Sequence, residues 1–61
     1  MKRRDIIRHL KKHRCFLERE DAKHSVYVNI DNNSVSTLPR HKEIDDFLVN
    51  KICKDLKINR P

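Results

Sequence analysis

From Lys2 to His13 the apolar residues Ile6, Ile7 and Leu10 recur at the spacing of one helical face. Asp5 near the start and Lys11, Lys12, His13 and Arg14 at the end complement the helix dipole. Cys15 to Glu20 reads as a first strand, with Cys15 and Leu17 expected to point inward, although the adjacency of Phe16 and Leu17 leaves its parity ambiguous. From His24 to Ile30, Val26, Val28 and Ile30 alternate with Ser25, Tyr27 and Asn29, which predicts a half-buried second strand. A third strand, Ser34 to Leu38, is closed by Pro39, which has no N–H to give a ladder. Asp21-Ala22-Lys23 and Asp31-Asn32-Asn33 supply the turns, the second carrying Asp and Asn residues that tolerate left-handed backbone. Leu48, Val49, Ile52, Cys53 and Leu56 then follow the i, i+1, i+4, i+5, i+8 pattern of a helix with one broad apolar face. Asp45 is its expected N-cap, with Ile44 stapling onto Val49, and Lys57 to Pro61 is expected to fray.

The order α-β-β-β-α with hairpin-length loops predicts an α+β domain, a three-stranded antiparallel sheet with both helices on one face. The layout resembles the double-stranded-RNA-binding-domain architecture, and a likeness of fold does not by itself assign a function. At 61 residues the whole chain, 1–61, is expected to form one small domain with a thin stability margin that a binding partner would widen. No run approaches the roughly 18 apolar residues of a membrane span, and no apolar segment follows the basic start as in a leader peptide. Cys15 and Cys53 are therefore expected as free thiols of a cytoplasmic protein. The chain has no glycine at all, which leaves left-handed turns to residues that adopt them at a cost.

Fifteen Lys plus Arg against nine Asp plus Glu give a formal charge of +6 and point to a polyanionic partner. The candidate site is His24 at the mouth of the second strand with Lys23 beside it, Arg40, His41 and Lys42 on the connector, and Lys2, Arg3 and Arg4 at the start of the first helix. RNA carries its own nucleophile, the 2′-hydroxyl. Its cleavage needs a group to move a proton, for which imidazole with an ordinary pKa of about 6.5 is suited, and cations to hold the phosphate. The residues equally allow His24 to be a hydrogen-bonded residue at the rim of the core and the basic connector to be a solvated face. His9 and His13, four apart on the first helix, lack the further ligands a zinc site requires, so neither metal nor cofactor is expected. Tyr27 is open to two readings, stacking on a base or packing on the second face of the sheet. No glycine-rich phosphate loop, Ser-His-Asp set or catalytic carboxylate pair is present, since Asp45 and Asp46 read as helix N-terminal charges. Neither helix is followed by a recognition helix, which disfavours direct DNA binding.

Several segments taken together resemble the HicA toxins: Lys2-Arg3-Arg4-Asp5, Arg8-His9-Leu10, His24-Ser25-Val26-Tyr27-Val28-Asn29, Ser36-Thr37-Leu38-Pro39-Arg40-His41, and Phe47-Leu48 through Lys51-Ile52-Cys53. The resemblance runs nearly end to end. It implies an mRNA interferase of a bacterial toxin-antitoxin pair, a metal-independent endoribonuclease acting on single-stranded mRNA. It further implies His24 as the catalytic histidine and neutralisation by a HicB-type antitoxin, with DNA met only through the antitoxin complex. Pro39-Arg40-His41 matches too, and implies substrate or antitoxin contact for His41. The chain departs from the family pattern at Asp21 and Ala22, where a turn glycine is usual, and at Arg14, where glycine usually ends the first helix. A carboxylate at Asp21 would repel a phosphate, so the alternative implied by these departures is an RNA-binding or antitoxin-binding module with weak or lost catalysis.

Overall fold

The computed structural model describes all 61 residues. The elements are α1 (Arg3–Lys12), β1 (Cys15–Glu20), β2 (His24–Asn29), β3 (Val35–Pro39) and α2 (Asp46–Leu56). The three strands form one antiparallel sheet in the order β1-β2-β3, so β2 is central. Ile6 and Leu10 of α1 and Val49, Ile52, Cys53 and Leu56 of α2 pack with Cys15, Tyr27, Leu38 and Ile44 in one core, which puts both helices on the same face. This is the predicted α-β-β-β-α arrangement, with strand ends shifted by a residue: β2 stops at Asn29, β3 starts at Val35 and takes in Pro39. Proline is tolerated there because a strand's last residue on a sheet edge has no ladder bond to donate.

The predicted inward face of β2 is reversed. Tyr27 belongs to the core, whereas Val26 and Val28 point to the opposite, helix-free face of the sheet. The reversal follows from hydrogen bonding. Buried polar side chains are tolerated when paired, and those on the helix side all are: Ser25 Oγ donates to Glu20 Oε1 at 3.0 Å and Asn29 Nδ2 donates to the Leu56 carbonyl at 2.9 Å. Ser36 Oγ donates likewise to Asp55 Oδ2 at 3.1 Å. Central-strand position explains how Val26 is still only 8% exposed on the open face, since β1 and β3 neighbours flank it. Cys15 is buried as expected, but Leu17, which shares its face opposite Tyr27, is half exposed at the sheet edge. A bulge at Glu18, between Leu17 and Arg19, shifts the register there so that Arg19 meets Val26 on the open face and Glu20 meets Ser25 on the helix side.

Asp45 caps α2 as predicted, its carboxylate accepting from Leu48 N at 2.8 Å. The expected fraying of the tail is not observed at its first residues. Lys57 turns left-handed (φ 58°), Ile58 N donates to the Cys53 carbonyl and Lys57 N to the Lys54 carbonyl, and Ile58 packs on the core. This paired arrangement closes the helix and satisfies its last carbonyls. His9 Nε2 donates to the Asn59 carbonyl at 2.6 Å, fastening the tail to α1. Without glycine, Arg14 and Asn33 also take positive φ, 63° and 62°. For Arg14 this costs on the order of 1 kcal/mol, offset in part by its ion pair with Asp31 at 2.8 Å.

Candidate active site

Antiparallel pairing of β2 with β3 sets His24 opposite Pro39. The turn before β2 and the connector after β3 therefore emerge at the same end of the sheet, and Ala22, Lys23, His24, Pro39, Arg40 and His41 line one shallow concavity. The His24 ring is exposed and makes no hydrogen bond to the protein, which leaves both nitrogens available to a ligand. The exposed Lys23 ammonium likewise has no acidic partner.

The turn is ordered by the residue that the sequence suggests would disturb it. Asp21 Oδ1 accepts from Lys23 N at 3.0 Å and from His24 N at 2.8 Å, and the Asp21 amide donates to the His24 carbonyl at 2.9 Å. This is an Asx-type turn, in which a carboxylate supplies the bonds that shape the backbone. The amides of His24 and Lys23 hold the Asp21 carboxyl below its ordinary range. Because the folded value is depressed, the bonds are complete above the unfolded value of about 3.9 and are lost as pH falls through the folded value. Amide hydrogen exchange at Lys23 and His24 is therefore expected to quicken as pH is lowered through this range, after correction for intrinsic rates. Asp21→Ala is expected to reproduce that loss of protection at neutral pH, and unchanged protection would show that the carboxylate does not shape the turn.

Beneath the concavity lies a chain of polar contacts that the sequence does not reveal. Arg3 is turned inward: its Nε donates to the Pro39 carbonyl at 3.0 Å and its Nη2 to Ser25 Oγ at 2.8 Å. Ser25 passes a hydrogen bond to Glu20, and Glu20 pairs with Arg40 at 3.2 Å. Arg3 thus ties the start of α1 to Pro39, the cross-strand partner of His24, and to Ser25, the residue after His24, and Glu20 fixes the guanidinium of Arg40 at the concavity's edge. Glu20 and Ser25 carry no sequence motif; only the register that sets them opposite one another would reveal them.

The remaining predicted residues form a second, adjoining group. Arg3 N donates to the Lys42 carbonyl and Ile44 N to the Met1 carbonyl, both at 2.8 Å, which straps the connector to the N-terminal residues. Lys2, Arg4, Lys42 and Glu43 consequently line one concavity. Residues 40 to 43 run along the chain from the His24 concavity to this one, so basic side chains distant in sequence gather in two concavities linked by the connector. No three His, Cys, Asp or Glu side chains come together in a way that could hold a metal ion, and the rings of His9 and His13 lie tilted to one another with centroids 4.5 Å apart. Cys15 and Cys53 are buried free thiols whose burial pushes both upward, away from thiolate chemistry. No helix is long and apolar enough to cross a membrane.

A family model described as HicA toxin of bacterial toxin-antitoxin matches residues 3–58 of the chain. No curated protein and no solved structure matches it.

Proposed function

The chain belongs to the HicA toxin family of bacterial toxin-antitoxin systems, whose members are generally mRNA-cleaving toxins, and we propose that it is a metal-independent endoribonuclease with His24 as its proton-transfer residue. The observation that carries this reading is the exposed, unpartnered imidazole in a concavity it shares with Lys23 and Arg40. Neutral His24 accepts the proton of an RNA 2′-hydroxyl as that oxygen attacks the adjacent phosphorus. The bond from phosphorus to the 5′-oxygen breaks, and the departing oxygen takes a proton from water. The products are a 2′,3′-cyclic phosphate and a 5′-hydroxyl. Lys23 and Arg40 bear on the negative charge that grows on the phosphate oxygens.

Lys42, Lys2 and Arg4 hold the phosphates that flank the scissile one, with His41 between the two groups. Arg3 supports the site from beneath by fixing Ser25 and Pro39. The Asp21 carboxylate, engaged by two backbone amides, is already turned to the protein's own donors, which lessens the repulsion its charge would exert on a substrate phosphate. A HicB-type antitoxin is the proposed inhibitor and the cytoplasm the proposed place of action.

Single-stranded RNA incubated with the purified chain in EDTA is expected to be cut to 2′,3′-cyclic phosphate ends, and a 2′-deoxy substitution at the cut site is expected to block that cut. Binding of RNA without any cleavage would support instead the reading as a binding module that has lost catalysis. Cleavage that EDTA abolishes would overturn the metal-free mechanism.

A further inference from the structure

Cleavage at His24 moves two protons, one off the 2′-hydroxyl and one onto the departing 5′-oxygen, and His24 accounts for the first alone. The concavity holds a second imidazole. Its lining comes from two segments, residues 22–24 on the turn before β2 and residues 39–41 at the end of β3 and the start of the connector, so one histidine belongs to each. Both rings are presented in the same way. Asp21 fastens the backbone of His24 on either side, accepting from its amide at 2.8 Å and donating to its carbonyl at 2.9 Å, while the ring stays exposed and unbonded. His41 is bracketed likewise by Arg3, whose Nε donates to the Pro39 carbonyl at 3.0 Å and whose backbone amide donates to the Lys42 carbonyl at 2.8 Å. Between them Arg40 pairs with Glu20 at 3.2 Å and reaches the Asp21 carbonyl at 3.5 Å, which draws the connector to the turn. The His41 ring is exposed and bonded to nothing in the protein. A fixed backbone beneath a free ring suits a group that must meet one atom of a bound substrate.

We propose that His41 is a catalytic residue, the general acid that protonates the 5′-oxygen while His24 deprotonates the 2′-hydroxyl. This rests on the proposed cleavage at His24. The bond from the 2′-oxygen to phosphorus forms, the bond from phosphorus to the 5′-oxygen breaks, and its electron pair leaves on that oxygen, which takes a ring proton from charged His41. His24 then releases its proton to water and His41 regains one from water, so water is the ultimate source of the proton on the 5′-hydroxyl. Entering and leaving oxygens lie in line on opposite sides of phosphorus, and a phosphate seated between the two segments turns one of them toward each histidine.

No other group on the concavity suits this role. A guanidinium does not give up its proton in a protein, which excludes Arg40. An ammonium ordinarily holds its proton too firmly near neutral pH to pass it on efficiently, which leaves Lys23 to the phosphate charge. The Asp21 carboxyl is held ionised by the amides of His24 and Lys23, and Glu20 is spent on Ser25 and Arg40. Imidazole both carries a proton and releases it near neutrality.

The test uses the full chain and two single-stranded RNAs that differ in one atom, with oxygen or sulfur bridging phosphorus to the 5′-carbon at the cut site. A thiolate is a far weaker base than an alkoxide and departs without a proton. His41→Ala is expected to cut the oxygen substrate about 10²- to 10⁴-fold more slowly than the wild type and the sulfur substrate within about tenfold of it. His24→Ala is expected to stay slow on both, since the 2′-hydroxyl proton must still be removed. Recovery on sulfur also shows that the variant is folded. His41→Ala that cuts the oxygen substrate like the wild type would overturn the inference and leave cleavage at His24 standing. His41→Ala and His41→Gln that are both slow on both substrates would also overturn it, placing His41 in binding or folding. Recovery of His24→Ala on sulfur would assign the acid to His24 instead. A wild type that cuts neither RNA would remove the proposed cleavage itself, and the role of His41 with it.

Discussion

The His24→Ala variant is expected to lose RNA cleavage by about 10²- to 10⁴-fold, the range that one positioned proton-transfer group contributes, and with it the arrest of growth on expression. Its unfolding midpoint is expected to stay within about 4 °C of the wild type, since exposed substitutions change stability by about 0.5 kcal/mol or less and 1 kcal/mol shifts a domain of this size by about 4–8 °C. The two expectations are separable because the ring is exposed and bonded to nothing, so its removal leaves no polar group stranded. Lys23 and Arg40 remain in place, so the loss is expected in kcat with KM within a few-fold of the wild type. Cleavage that survives the substitution would move the proton transfer to another group on the same concavity, of which His41 is the only other imidazole. A variant that fails to bind RNA at all would show that His24 acts in binding rather than in the transfer.

Local signals carried the helices and their ends well where the deciding residues are neighbours in sequence. Asp45 and Leu48 are three apart, so the α2 cap is written in one turn of chain. Hairpin connectivity likewise brings Lys23 and His24 to Pro39 and Arg40, because antiparallel strands of known order must end together. What escaped is decided by partners far away. The inward face of β2 is not legible locally because Ser25, Tyr27 and Asn29 look more polar than Val26 and Val28, while the groups that make the burial of Ser25 and Asn29 acceptable, Arg3 and the Leu56 carbonyl, lie 22 and 27 residues off. The inward turn of Arg3 and the strap between Met1–Arg3 and Lys42–Ile44 escaped for the same reason, since each depends on a contact across most of the chain. The tail held because of the left-handed turn at Lys57, a conformation that glycine usually signals and that a chain without glycine conceals.

The reversed strand face leads to the second large expected effect. Tyr27→Ala removes an aromatic side chain from a core whose helices and sheet meet around it, and truncations of that kind cost about 3–5 kcal/mol. A 61-residue domain at about 0.05–0.15 kcal/mol per residue has only about 3–9 kcal/mol in total. The variant is therefore expected to be largely or wholly unfolded at 37 °C, and in urea its midpoint should approach zero denaturant. Val28→Ala, one residue further on, shortens a side chain that faces away from the helices and is expected to cost less than about 1 kcal/mol. The contrast between adjacent positions matters more than either value, because sequence alternation alone predicts the opposite order. A Val28→Ala variant that unfolds before Tyr27→Ala would mean that the valines are the buried side, and the open face would then be Tyr27's.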